Sequence, residues 1–274
     1  MSNLEKRLLT GATLIIIISL FTALSWISFT VLVLTIDLLA LQEFYGLTRG
    51  FNLSPRILEG ITVSGIMIVT LILFLTKICY WKILLLNVPF LMAIFISELF
   101  LHSATPVQNI AFTLLGIICV SLPLCFFIML AFLPLHLGSY HREIILGYFF
   151  ILWAGDSGAF LIGKNVGKRP LFRRISPSKT WEGSIGGFCC ALLVACITSS
   201  FFAILSTLQW LTMAILISLS GTFGDLAKSL LKRSLHIKDS GNILPGHGGM
   251  LDRFDSLLGS APLVFCYLVA FVHT

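Results

Sequence analysis

The chain has 274 residues, of which 57% are hydrophobic and 11% charged, and its mean hydropathy is +1.01. Soluble domains carry about 25% charged residues and disordered chains are richer in charge still, so both classes are excluded. Seven cysteines, an odd number with no repeated CxxC, exclude a small disulfide scaffold.

The remaining class is an all-α, polytopic integral membrane protein. A span needs roughly 20 largely apolar residues. Such runs cover 8–24, 26–42, 59–76, 81–101, 108–134, 144–163, 184–204, 208–226 and 257–273, which predicts about nine transmembrane helices. Ser25-Trp26 is a tight turn between the first two. The run 108–134 is read as one helix, kinked at Pro123. Lys6-Arg7 ahead of an apolar run has the look of a signal peptide. No convincing small-residue cleavage site follows, so it is read as the first span. The cysteines mostly fall within spans, where they act as small hydrophobes.

Nine spans with a cytoplasmic N-terminus place every Lys and Arg on the inside except Lys77, Lys82 and Arg142, in keeping with the positive-inside rule. The net charge of +6 therefore does not point to nucleic acid. More than half of all charges fall in two polar islands, 164–182 and 225–256. The expected organisation is a region of N-terminal transmembrane helices, 1–143, and a catalytic transmembrane region, 144–274. The catalytic region carries cytoplasmic loops at 164–183 and 227–256.

In the second island Asp225 ends one span, and Asp252 and Asp255 begin the next. The latter two are spaced to share a helical face. Carboxylates favour a helix N-terminus, which is one explanation of the pair. The other is a divalent cation site, since Mg²⁺ takes a few carboxylates together with substrate phosphate oxygens. Gly246-His247-Gly248-Gly249 is either a glycine-rich turn or a backbone cradle for phosphate. In the first island Asp156 lies inside a span, where an acid is costly and usually functional or paired. Ser176-Pro177-Ser178-Lys179 reads as a capped helix start, or as a turn whose lysine binds phosphate. The bases of both islands are either a solvated positive-inside face or a site for an anionic substrate or headgroup. Asp37 and Glu98 are embedded acids that either pair with a neighbouring helix or line a path. Glu43-Phe44-Tyr45 is expected to be an interfacial anchor.

Ser229-x-Leu231-Lys232-Arg233, Lys238-Asp239, Leu244-Pro245-x-His247-Gly248-Gly249-Met250 and Asp252-Arg253-Phe254-Asp255 keep one continuous spacing over residues 229–255. This segment resembles the signature of the phosphatidate cytidylyltransferases. Asp156-Ser157-Gly158 and Ser176–Gly183 look like upstream segments of the same family, so the resemblance covers roughly 150–274. It implies an enzyme that makes CDP-diacylglycerol and pyrophosphate from CTP and phosphatidate in phospholipid biosynthesis. Mg²⁺ is the implied cofactor, a second cation is an open alternative, and a homodimer is the implied assembly. By position, Asp225, Asp252 and Asp255 become metal ligands, with Asp239 a further one. Lys238 and His247 join the three aspartates as catalytic residues. Ser176, Ser178, Lys179, Lys232, Arg233, Gly248, Gly249, Arg253 and Asp156 become substrate contacts. One position departs from the pattern: where an acid is expected at 228, this chain has Lys228.

A secondary transporter or scramblase is the rival reading from the embedded acids, but the chain shows no internal repeat, which a transporter would be expected to carry. A nearer rival is a sister enzyme using CTP with another lipid phosphate or a lipid alcohol. The expected setting is a bacterial inner membrane, with the active site at the cytoplasmic interface.

Overall fold

A computed structural model describes residues 3–47, 53–133, 138–234, 241 and 248–271, with side chains from residue 10 onward. Among the described residues, the regular structure is helical apart from one small hairpin. Among the described residues, seven helices are long and apolar enough to cross a membrane: Trp26–Gly46, Ile57–Leu75, Trp81–Phe100, Pro106–Leu130, Arg142–Val166, Trp181–Phe201 and Thr207–Ser234. Two shorter apolar helical stretches, Thr10–Leu24 and Asp255–Phe271, lie where the first and last spans were expected.

The residues cluster into two compact units. One comprises Met1–Tyr140 with Leu235–Phe254, and the other His141–Ser234 with Asp255–Thr274. Of the loop 227–256, the described residues 241 and 248–254 fall in the first unit.

The first unit begins with α1 (Asn3–Leu24) and α2 (Trp26–Gly46). Ser25 caps α2: its hydroxyl accepts from the Ser28 N–H while Ser28 Oγ accepts from the Ser25 N–H, so a two-way cap makes the tight turn. Next come α3 (Ile57–Leu75), a 3₁₀ turn (Trp81–Leu86) leading into α4 (Asn87–Phe100), then α5 (Pro106–Gly116) and α6 (Leu122–Leu130). A π-helical turn, Ile117–Ser121, joins α5 to α6 immediately before Pro123. The missing proline N–H breaks the α-helical ladder here, and the wider turn absorbs it without splitting the span.

Both embedded acids of this unit are paired within it. Glu98 receives the Arg56 guanidinium, the Ser103 hydroxyl and the Asn109 amide. Asp37, fully buried, accepts from Ser64, whose hydroxyl also bonds Ser121. Such polar clusters hold helices together where water is absent, although Asp37 Oδ1 has no hydrogen-bond partner among the described residues. The expected interfacial anchor is corrected. Glu43, Phe44 and Tyr45 are 6%, 3% and 0% exposed, and the Tyr45 hydroxyl donates to the Thr113 carbonyl at 2.9 Å. The short helix α10 (Met250–Arg253) packs on α2.

The second unit is built from α7 (Arg142–Val166), strands β1 (Pro170–Phe172) and β2 (Ser176–Thr180), α8 (Trp181–Phe201), α9 (Thr207–Ser234) and α11 (Asp255–Phe271). Helix α7 packs on α8, and α9 on α11. The second contact is close because it is made by glycines: a Cβ on Gly224 would stand 2.6 Å from the Gly259 Cα. Such glycine faces let membrane helices approach backbone to backbone. Trp210, Tyr148, Leu257 and Ala261 are fully buried at the centre of this unit.

The β1–β2 hairpin corrects the expected helix start at Ser176–Lys179. The strands pair antiparallel, with Pro170 opposite Thr180 and Phe172 opposite Ser176. Pro177 disfavours a helix here, and α8 begins at Trp181 with Thr180 as its cap, Oγ1 accepting from the Gly183 N–H at 3.1 Å. The Glu182 carboxylate accepts from the N–H groups of Lys168 and Arg169, at 3.1 and 3.2 Å, and so ties the base of the hairpin to the helix.

Candidate active site

The hairpin exists, in physical terms, to carry Lys179. Its ammonium donates to the Asp225 carboxylate on α9, and the Asp255 carboxylate at the start of α11 and Asp156 on α7 also act on it electrostatically. Burial pushes the Lys179 ammonium below the ordinary lysine range, while Asp255 and then Asp156 hold it up and Lys232 opposes them. Asp255 in turn faces Lys228, Lys179 and Lys232. The glycine contact explains the convergence: the same Gly224 Cβ would lie 3.1 Å from the Asp255 carbonyl oxygen, so Asp225, the next residue, stands beside the first turn of α11. Asp156, Asp225, Asp255, Lys179, Lys228 and Lys232 thus form one cluster of alternating charge.

Asp225, Asp255, Lys179, Lys228 and Lys232 are half-buried, Asp156 exposed. Helix α9 runs past its apolar span to Ser234, so Lys228, Lys232 and the exposed Arg233 extend its polar end. Ser176 and Ser178 flank Lys179 on β2, half-buried and exposed respectively. A cavity of about 550 Å³ between His141–Glu143 and Phe201–Ile204 lies at the opposite ends of α7 and α8, away from this cluster.

The remaining candidates sit in the first unit. Asp252 is half-buried and Arg253 exposed on α10. Gly248 has φ +84°, a conformation that favours glycine, and a Cβ placed there would lie 3.6 Å from Asp252 Oδ2. Gly249 is the N-cap of α10 and, having no side chain, supplies no side-chain cap. Lys238, Asp239 and His247 lie outside the described residues.

Sequence reasoning treated two residues too lightly. Lys228 stood out as a departure, and the structure sets it against Asp255. Glu43, read as an anchor, accepts from the N–H groups of Met250 and Leu251 at 2.9 and 2.8 Å. A glutamate at the end of an apolar span is a signal, but nothing local identifies a partner 207 residues away.

The donor chemistry for a cation in the second unit is carboxylate oxygen from Asp225 and Asp255. Among the described residues, no three His, Cys, Asp or Glu side chains form a ready-made cage. Mg²⁺ needs none, since it is commonly held by one or two carboxylates together with substrate phosphates and water, so these residues fit it.

The sequence model described as "Cytidylyltransferase family" matches residues 5–271. The chain belongs to the cytidylyltransferase family. It is 32% identical to the phosphatidate cytidylyltransferase of Bacillus subtilis over 99% of this chain and all of the relative. A Rickettsia bellii protein of the same name is 36% identical over 78% of this chain and 90% of its own length. One from Staphylococcus aureus is 46% identical over 46% of this chain and 48% of its own. Family membership and the many apolar helices make this a membrane protein.

Proposed function

We infer that this protein transfers the cytidylyl group of CTP to phosphatidate, giving CDP-diacylglycerol and pyrophosphate in phospholipid synthesis. The observation that carries the reading is the end-to-end likeness to the Bacillus subtilis enzyme. A phosphatidate oxygen attacks the α-phosphorus of CTP in line, the bond to the bridging oxygen of the β-phosphate breaks, and pyrophosphate departs. The attacking phosphate monoester is already ionised near neutral pH, its second pKa being about 6, so no strong base is needed.

Two polyanions must meet, so positive charge has to offset their repulsion and stabilise the leaving group. Lys179, Lys228 and Lys232 supply that charge in the second unit. Lys179 can exchange the Asp225 carboxylate for a phosphate oxygen, which leaves Asp225 available as an oxygen ligand. Arg233 and Arg253, both exposed, suit bidentate phosphate contacts. Ser176 and Ser178 flank Lys179 as hydroxyl donors. By the resemblance, Asp225, Asp252, Asp255 and Asp239 are the proposed carboxylate ligands for Mg²⁺, and of these Asp225 and Asp255 belong to the second unit. When bound, Mg²⁺ would neutralise charge on the phosphates. Lys238, His247, Gly248 and Gly249 complete the proposed site through the resemblance, as does a second cation.

The proposed setting is the cytoplasmic face of a bacterial inner membrane, where CTP arrives from water and the acyl chains remain among the helices. A homodimer is the proposed assembly. Acceptor competition tests the substrate assignment: unlabelled phosphatidate should suppress product from a trace of labelled phosphatidate, whereas diacylglycerol should not. Preference for the alcohol would overturn the acceptor.

A further inference from the structure

We propose that Glu43 is a positioning residue for this reaction, holding the segment that presents Asp252. The proposal rests on the reading of Asp252 as a ligand of the cation.

Helix α10 starts at Met250, and its first N–H groups need acceptors that a helix cannot supply to itself. The cap residue is Gly249, which has no side chain to offer. The acceptors come from α2: Met250 N donates to Glu43 Oε1 at 2.9 Å and Leu251 N to Glu43 Oε2 at 2.8 Å. Both carboxylate oxygens are therefore engaged by successive amides, which fixes the orientation of the backbone as well as its distance. The carboxylate is 6% exposed, and Met250, Leu251 and Phe254 around it are 7%, 4% and 5% exposed, so water is a poor substitute. Charge-assisted bonds of this kind are about twice as strong as neutral ones.

Gly241 lies against the same carboxylate. A Cβ there would stand 2.6 Å from Oε1. Both ends of the glycine-rich segment, Gly241 and Met250, thus meet Glu43. Asp252 follows one residue after the second held amide, and Gly248 turns back towards its carboxylate through φ +84°. A carboxylate that must meet a cation within about half an ångström gains from such an anchor. Glutamine matches glutamate in volume but has a single acceptor oxygen, and its NH₂ would face one of the two N–H donors.

The test compares Glu43→Gln, Glu43→Asp and Asp252→Asn with wild type in detergent. Steady-state kinetics, Mg²⁺ titration of activity and amide hydrogen exchange would be read together. Glu43→Gln should lower kcat about tenfold or more, with a smaller change in KM for CTP, and raise the Mg²⁺ needed for half-maximal rate. Amides 250 and 251 should exchange at least tenfold faster, while those of α3 and α11 keep wild-type protection. Glu43→Asp keeps both acceptors on a shorter stem and should fall between the two. It also serves if the glutamine variant does not fold. Unchanged protection at 250 and 251 in both Glu43 variants would overturn the anchor. Faster exchange with wild-type kcat and Mg²⁺ dependence would overturn the positioning role. Full activity in Asp252→Asn would instead overturn the reading of Asp252, whatever the Glu43 variants do.

Discussion

Lys179 on β2 is ion-paired with Asp225 on α9, so the base carried by the hairpin and the acid at the polar end of α9 stand in one contact. Removing either partner leaves the other half-buried without its counter-charge. Lys179→Ala should raise KM for CTP or for phosphatidate about 10- to 100-fold, the range expected for one charge-assisted hydrogen bond. Lys179→Arg should recover part of it. Steady-state kinetics in mixed micelles decide the matter, and unchanged constants for both substrates would return Lys179 to a solvated loop.

The burial of Lys179 sets a pH dependence. Burial lowers the ammonium pKa of Lys179 against the pull of Asp255 and Asp156, so the charge is lost as pH rises through a value below the ordinary lysine range. Phosphate binding should weaken over that interval, giving the rate profile an alkaline limb that moves to higher pH in Lys179→Arg. Because the fold favours the neutral amine, stability rises across the window between the lowered pKa and the unfolded one. A limb caused by unfolding would show the opposite trend in thermal scans.

Lys228 faces Asp255 where an acid was expected. Lys228→Glu replaces an attractive charge with a repulsive one and adds carboxylate oxygen to the site. It should lower the Mg²⁺ concentration for half-maximal activity several-fold and reduce the melting temperature in the absence of Mg²⁺. An identical Mg²⁺ titration curve would show that Lys228 does not act on the cation site.

The α9–α11 contact can be tested by steric means. Gly224→Ala introduces a Cβ 2.6 Å from the Gly259 Cα, backbone that cannot yield as a side-chain tip can. The cost should be about 1–3 kcal/mol, seen as a lower melting temperature, with activity falling as Asp225 moves away from Asp255. Gly65→Ala on α3 meets nothing within 4 Å and should leave both unchanged or slightly stabilise the helix.

Asp37→Asn keeps an acceptor for Ser64 inside the first unit. Turnover should stay within a few-fold of wild type, and complete loss in folded protein would mean that this acid takes part in the chemistry.

The spans were legible because hydropathy records the membrane directly: the predicted run 144–163 became Arg142–Val166, and 257–273 became Asp255–Phe271. The fate of 208–226 shows the limit of that signal. Helix α9 continues to Ser234, since helix propensity does not end where apolarity does. The hairpin was missed because its strands are only three and five residues long and each carries a proline, and its shape depends on Glu182 and Thr180 at the start of α8. Of the site, Asp156, Lys179, Asp225, Lys232 and Asp255 were legible as chemistry, and the structure brings them together. The facing of Lys228 on Asp255 and the hold of Glu43 on Met250 and Leu251 are long-range relations that no local pattern encodes.

The most direct test of the account follows the fate of two different phosphorus atoms. Purified protein in micelles of phosphatidate would be given Mg²⁺ and CTP labelled with ³²P at the α- or the γ-position. α-Label should enter the organic phase, γ-label should stay aqueous as pyrophosphate, and EDTA should stop the transfer of α-label. No α-label in lipid from folded protein, or γ-label in lipid instead, would contradict the account, the latter by showing phosphorylation of a lipid acceptor rather than cytidylyl transfer.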